Sequence, residues 1–207
     1  MTFGMIVLLV LSLLVIFGVG QRVLDRMRLN DKAALAVMLA MFAGGLIPAT
    51  AIGNVRIGVG GALVPVAVCI WVLIKAERGI EVFRAILGSV LTAAAIWLMS
   101  LWLPAEPESI VIDPNYLYGV AAGVTAYILG RSRRGAFVSA VFGVLLADVA
   151  VAVVNWSNGI DSLLRLGTGG ALDMVVISAL IAVLLAEFVG EAIERMTRGR
   201  HRKEGAR

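Results

Sequence analysis

The sequence predicts an all-α fold, a polytopic transmembrane helix bundle of about seven spans built as two parallel internal repeats of four and three helices. Three observations predict it. Of the 207 residues, 60% are hydrophobic and 15% charged, with a mean hydropathy of +0.97, whereas soluble domains are roughly half apolar and a quarter charged. The apolar residues gather in uncharged runs that approach or exceed the roughly 18–20 residues needed to carry a helix across about 30 Å of hydrocarbon. Finally, the octapeptide RIGVGGAL at 56–63 returns as RLGTGGAL at 165–172.

The runs place the spans in order. The first covers Thr2 to Gly20; it has no basic leading segment and no small-residue cleavage pattern, so it reads as a retained helix and not a removable signal peptide. The second covers Ala33 to Ile52, with Pro48 after Gly44 and Gly45 marking a kink. The third, Val59 to Ile74, and the fifth, Leu117 to Gly130, are short and need tilt or local thinning of the bilayer. The fourth runs from Ile80 to Leu103, the sixth from Ala136 to Asn155, and the seventh from Asp173 to Ala192. A single transmembrane domain over 1–195 follows, with repeat one at about 1–104, repeat two at about 115–195, and a basic, disordered cytoplasmic tail at 196–207.

Charge between the spans alternates. Arg22, Arg26, Arg28 and Lys32 follow the first span, Lys75, Arg78 and Arg84 the third, Arg131, Arg133 and Arg134 the fifth, and the segment RMTRGRHRKEGAR the seventh. The intervening loops hold Arg56, the acidic PAEPESIVID and Arg165. Cytoplasmic loops collect Lys and Arg, which puts the amino terminus outside and the carboxyl terminus in the cytoplasm. The net charge of +4 is thereby an orientation signal and not a nucleic-acid-binding face. Trp97, Trp102 and Trp156 near span ends, and Trp71 near the inner boundary, suit interfacial anchoring. The lone Cys69 forms no intrachain disulfide, His201 has no companions, and no metal or cofactor is expected.

The repeated octapeptide carries six identities and an Ile/Leu exchange. Four spans separate the copies, so both cross in the same direction, which is parallel repetition about an axis along the membrane normal. Each copy supplies one arginine, then glycines, then a helix. Free N–H groups and the positive dipole at a helix N-terminus suit an anion. Arg56, Gly58, Gly60, Gly61, Arg165, Gly167, Gly169 and Gly170 are therefore candidates to cradle a carboxylate or phosphate headgroup, while the same glycines would also allow close helix packing. Asp148, deep in the sixth span, must be compensated, because an aspartate at helix centre costs about 2.5–3.5 kcal/mol on insertion scales. Asp173, opening the seventh span, suits a helix N-terminus. Together Asp148 and Asp173 are the catalytic candidates if the chain is a hydrolase, since paired carboxylates can activate water. Glu187, Glu191 and Glu194 share one helical face and read as ion-pair partners for nearby arginines.

The segment GTGGALD with Asp148 loosely resembles the glycine-rich aspartate motif of intramembrane aspartyl proteases such as presenilins and prepilin peptidases. Two residues, Ala171 and Leu172, part Gly170 from Asp173 where that family has none, and no Pro-Ala-Leu element follows. The segments VRIGVGGALVPVAVCIWVL, LLADV and GGALDMVVISALIAVL resemble a prokaryotic family of small membrane proteins known as domain of unknown function 1614, with Gly60, Gly61, Pro65, Asp148 and Asp173 carrying the likeness. That resemblance implies a prokaryotic plasma membrane and no established activity. The expectation is a membrane protein binding or translocating a small anionic solute or lipid headgroup, with Asp148 as a proton-linked gate; an aspartyl hydrolase or a silent scaffold are the alternatives.

Overall fold

The computed structural model describes residues 36–37, 40–41, 43–76, 78–102, 114–130, 132–169 and 173–204. The first span, with Arg22, Arg26, Arg28 and Lys32, lies outside the described residues, as do Gly170 to Leu172 and the whole acidic segment at 104–113.

The second span does not run to Ile52. Helix persists at 43–45, a turn follows, and Thr50–Ile52 forms a strand, β1, paired antiparallel with β2 at Val55–Ile57. Two causes act together: Pro48 cannot continue a helix, and Thr50, Ile52, Val55 and Ile57 are β-branched residues that favour extended backbone. Gly53, at φ +58, makes the tight turn between the strands. A third strand, β3 at Leu164–Leu166, joins β2 in parallel, giving the order β1-β2-β3. The fold is therefore helical with a small sheet at one end of the bundle.

After β2 the chain turns directly into a helix. Val59–Leu63 form one wide π-type turn, in which the Leu63 N–H donates to the Gly58 carbonyl at 3.2 Å, and α1 continues over Val64–Ile74. Pro65 accounts for the widening, because its ring crowds the carbonyl four residues back in an ordinary α-turn. The helices α2 (Gly79–Trp102), α3 (Pro114–Gly130), α4 (Arg133–Ser157) and α5 (Met174–Glu204) complete the bundle. By length and apolar composition α2 and α4 are each able to cross a membrane, while residues 59–74, 117–130 and 174–190 form shorter apolar helices. The helix of α5 runs on through the basic segment to Glu204, where disorder was expected; Glu, Met, Arg and Lys are good helix formers and propagate a turn already begun.

Helix α4 is central, packing on α2, α3 and α5 and more lightly on α1. Its inward positions Ala136, Val138, Ala140, Val141, Val144 and Ala147 are buried. Small residues set the helix spacing. A Cβ added at Gly143 would lie 2.6 Å from the Thr92 Cβ, and one at Gly123 would lie 2.7 Å from the Ile181 Cβ, so α2 meets α4 and α3 meets α5 at glycine notches, as small residues allow inside membranes. Large apolar side chains of α2, including Phe83, Ile86, Val90 and Leu98, are left exposed on the outer surface, the pattern of a face that meets lipid rather than water.

Candidate functional site

The two copies of the octapeptide meet. Strands β2 and β3 run side by side in parallel with Val55 opposite Leu164, Arg56 opposite Arg165 and Ile57 opposite Leu166. Sequence identity thus becomes spatial register. Strand neighbours lie about 4.8 Å apart, and side chains alternate between faces, so the two guanidinium groups leave the sheet on the same face. Both arginines are exposed, while Leu164 is buried. Among the described residues neither arginine has a salt-bridge partner. Asp161, four residues before Arg165, is engaged elsewhere: it accepts a hydrogen bond from the Asn54 Nδ2 at 2.7 Å, tying the β1–β2 turn to the approach of β3.

Below the arginines the glycines bring backbones into contact. The Gly58 N–H donates to the Leu166 carbonyl at 2.8 Å and the Leu164 N–H to the Asn54 carbonyl at 2.9 Å. A Cβ on Gly58 or Gly61 would strike the Gly167 carbonyl, and one on Gly167 would strike the Ala62 nitrogen. Gly60 plays the same part against the preceding helix, where an added Cβ would strike the Met41 carbonyl and the Gly45 nitrogen. Gly44 answers it: a Cβ there would lie 2.8 Å from the Gly60 nitrogen. These glycines pack the motif together, and two of their amides already have acceptors, Leu166 for Gly58 and Asp173 for Gly169. The arginine side chains face outward, where an anion can reach them.

The copies differ after the glycines. GVGGAL enters its helix at Val59, whereas after Leu166 the chain turns at Gly167, φ +62, and helix resumes only at Met174. Asp173 explains the later start. Its carboxylate accepts from the Val175 N–H at 3.0 Å and from the Gly169 N–H at 2.9 Å, and its carbonyl accepts from the Val176 N–H at 2.9 Å, so it caps α5 and fastens the glycine turn to it. The corresponding position in the first copy is Val64, which has no group with which to cap.

Asp148 is partly buried on α4, beside the buried Ala147 and one turn from the buried Val144. Asp173 lies within electrostatic reach of it, and among the described residues the Asp148 carboxylate makes no hydrogen bond or ion pair. The structure therefore brings Arg56 beside Arg165, brings Asp148 toward Asp173, and among the described residues gives Asp148 no arginine partner. Side chains of Glu187, Glu191 and Glu194 and of the basic tail lie outside the described residues, as does Gly170. Sequence reading missed Asn54, Asp161 and Trp156 as supports of the sheet; the Trp156 indole N–H donates to the Ser162 carbonyl at 2.8 Å and pins the link from α4 to β3. Their only signal was position, each flanking a copy of the motif or the turn before it.

The model of the YphA-like integral membrane protein family matches residues 30–206. The chain belongs to this family. Membership makes it an integral membrane protein and assigns it no activity. It lends no support to the resemblance to domain of unknown function 1614 or to the aspartyl proteases. No curated protein and no solved structure matches the chain. Within the YphA-like match fall the whole sheet, both arginines, Asp148 and Asp173.

Proposed function

We propose that the chain binds, and assists the translocation of, a small anionic solute or lipid headgroup held between Arg56 and Arg165. The observation that carries this reading is the register that sets the two arginines opposite one another on the exposed face of the β2–β3 pair. Like charges directly opposite in a sheet are destabilising. Among the described residues no carboxylate pairs with either arginine, and an anion would stabilise such a position. Two guanidinium forks offer planar, charge-assisted donors suited to carboxylate or phosphate.

In this reading the sheet caps one end of the bundle, the glycine turns bring the two halves of the motif together beneath it, and Asp148 is a proton-linked gate farther along α4. The segment before residue 36 and the helix ending near Gly45 add two crossings to the five helices above, giving seven in two parallel repeats of four and three. The amino terminus and the sheet lie outside a prokaryotic plasma membrane, with the basic loops in the cytoplasm. The alternation of basic and weakly charged loops and the parallel pairing of the two motif copies support this arrangement. The hydrolase reading has less support, because both Asp173 carboxylate oxygens are engaged by backbone N–H groups of the cap.

The test is anion-dependent stabilisation of the purified chain. A ligand that binds only the folded state raises the unfolding temperature as its concentration rises. Wild type is expected to gain stability from at least one carboxylate- or phosphate-bearing solute or lipid, and R56Q and R165Q to lose most of that gain. Equal gains in all three proteins would remove the proposal.

A further inference from the structure

We infer that the anion held by Arg56 and Arg165 is the phosphate of an anionic phospholipid in the leaflet on the sheet's side of the bundle. The inference rests on the anion reading above and names its ligand.

Large apolar side chains are exposed all around the sheet: Ile52 at the end of β1, Leu46 and Ile47 ahead of it, and Ile160 and Leu163 on the approach to β3. Such side chains in so short a stretch are expensive to leave in water and natural at the boundary of a bilayer. Trp156, partly exposed at the end of α4 with its indole N–H tied to the Ser162 carbonyl, has the amphipathic placement of an interfacial anchor. The arginines leave the sheet at this same level, so a bilayer bounded there would set its phosphates beside them.

A carboxylate presents two oxygens, and a single guanidinium fork already engages both. Two forks on adjacent strands suit a group that can be approached from more than one plane, and a tetrahedral phosphodiester sets its two charged oxygens and its ester oxygens in different planes. Two guanidinium groups stand side by side here, and the nearby Asp161 carboxylate is turned toward Asn54. An anionic lipid is therefore preferred over a zwitterionic one, whose choline would be repelled.

The experiment uses the full chain in detergent and follows the thermal unfolding transition by the reaction of a fluorogenic maleimide with Cys69, which is buried in the folded protein. Phosphatidylglycerol, phosphatidylcholine and inorganic phosphate are added separately. The expected result is a rise of several degrees with phosphatidylglycerol, little with phosphatidylcholine or inorganic phosphate, and loss of more than half the rise in the R56Q/R165Q double variant. Native mass spectrometry supplies a readout independent of stability: the double variant should retain fewer phosphatidylglycerol molecules than wild type. If inorganic phosphate stabilises as well as the lipid and through the same arginines, the lipid inference falls and the anion reading stands. If phosphatidylglycerol acts equally on both proteins and is equally retained, the lipid sits elsewhere and the inference falls. If no anion of any kind acts through the arginines, both fall.

Discussion

Gly167 offers the sharpest test of how the motif is built, since two separable costs meet there. Its φ is +62, and a Cβ would strike the Ala62 nitrogen and lie 2.6 Å from the Ala62 Cβ. Gly53 isolates the first cost: its φ is +58, but nothing lies within 4 Å of an added Cβ. Gly58 isolates the second: its φ is −86, an ordinary value, but a Cβ would strike the Gly167 carbonyl. A left-handed conformation costs an L-residue roughly 1–2 kcal/mol, and overpacking costs roughly 1–3 kcal/mol. Alanine should therefore destabilise by about 1–2 kcal/mol at Gly53, about 1–3 kcal/mol at Gly58 and about 2–5 kcal/mol at Gly167. With about 2–4 °C per kcal/mol for a chain of this size, G167A should unfold about 4–20 °C below wild type and G53A about 2–8 °C below. The one cysteine, Cys69, is buried, so a thiol-reactive dye reports each transition without further mutation. A G167A variant no less stable than G53A would refute the close approach of the two motif copies.

Other outcomes follow from the same geometry. Asp173→Ala removes the acceptor of two backbone N–H groups and should cost about 0.5–2 kcal/mol, with faster hydrogen exchange at the Gly169 and Val175 amides as the direct check. Gly88→Ala drives a methyl into the Ser139 hydroxyl and should destabilise by about 1–3 kcal/mol; adding Ser139→Ala should recover part of that loss, and strictly additive melting shifts would contradict the α2–α4 contact. Val90→Arg, on the exposed apolar face of α2, should reduce membrane insertion by about 2.5–3.5 kcal/mol if that face meets lipid near the bilayer centre, measured as the inserted fraction in a translocon assay. Asp148→Asn, under the proton-linked reading, should flatten the pH dependence of anion-induced stabilisation while leaving its size at high proton concentration intact; an unchanged pH profile removes Asp148 from the mechanism.

How far the sequence carried depended on the length of the pattern in question. Long uncharged apolar runs placed α2, α3 and α4 within three residues of where they lie, because burial in hydrocarbon demands helix throughout. The sheet escaped notice because a three-residue strand shows a single alternation, and β1 was hidden at the end of an apolar run. Its signal existed in the apolar-Arg-apolar triplets VRI and LRL, each followed by glycine. Repetition of the octapeptide was legible, but what it does was not: only coordinates could show that the copies pair with each other. The glycines were ambiguous between cradling and packing, and the crowding around Gly58, Gly60 and Gly167 gives packing its physical basis. Asp173 was legible as a helix-start residue because an anion suits that end. Asp148 was legible as an anomaly, and its nearest identified company proved to be another carboxylate rather than an arginine.

The account stands on the meeting of two distant arginines in one register, and oxidative crosslinking in native membranes tests that most directly. With Cys69 replaced by alanine, a chain carrying R56C and R165C places its two thiols on opposite residues of neighbouring strands, about 4.8 Å apart at Cα, inside the range a disulfide spans. The account predicts rapid, nearly complete intramolecular crosslinking for this pair and little for R56C with D161C. Absence of the first crosslink, or equal yields from both pairs, would contradict it.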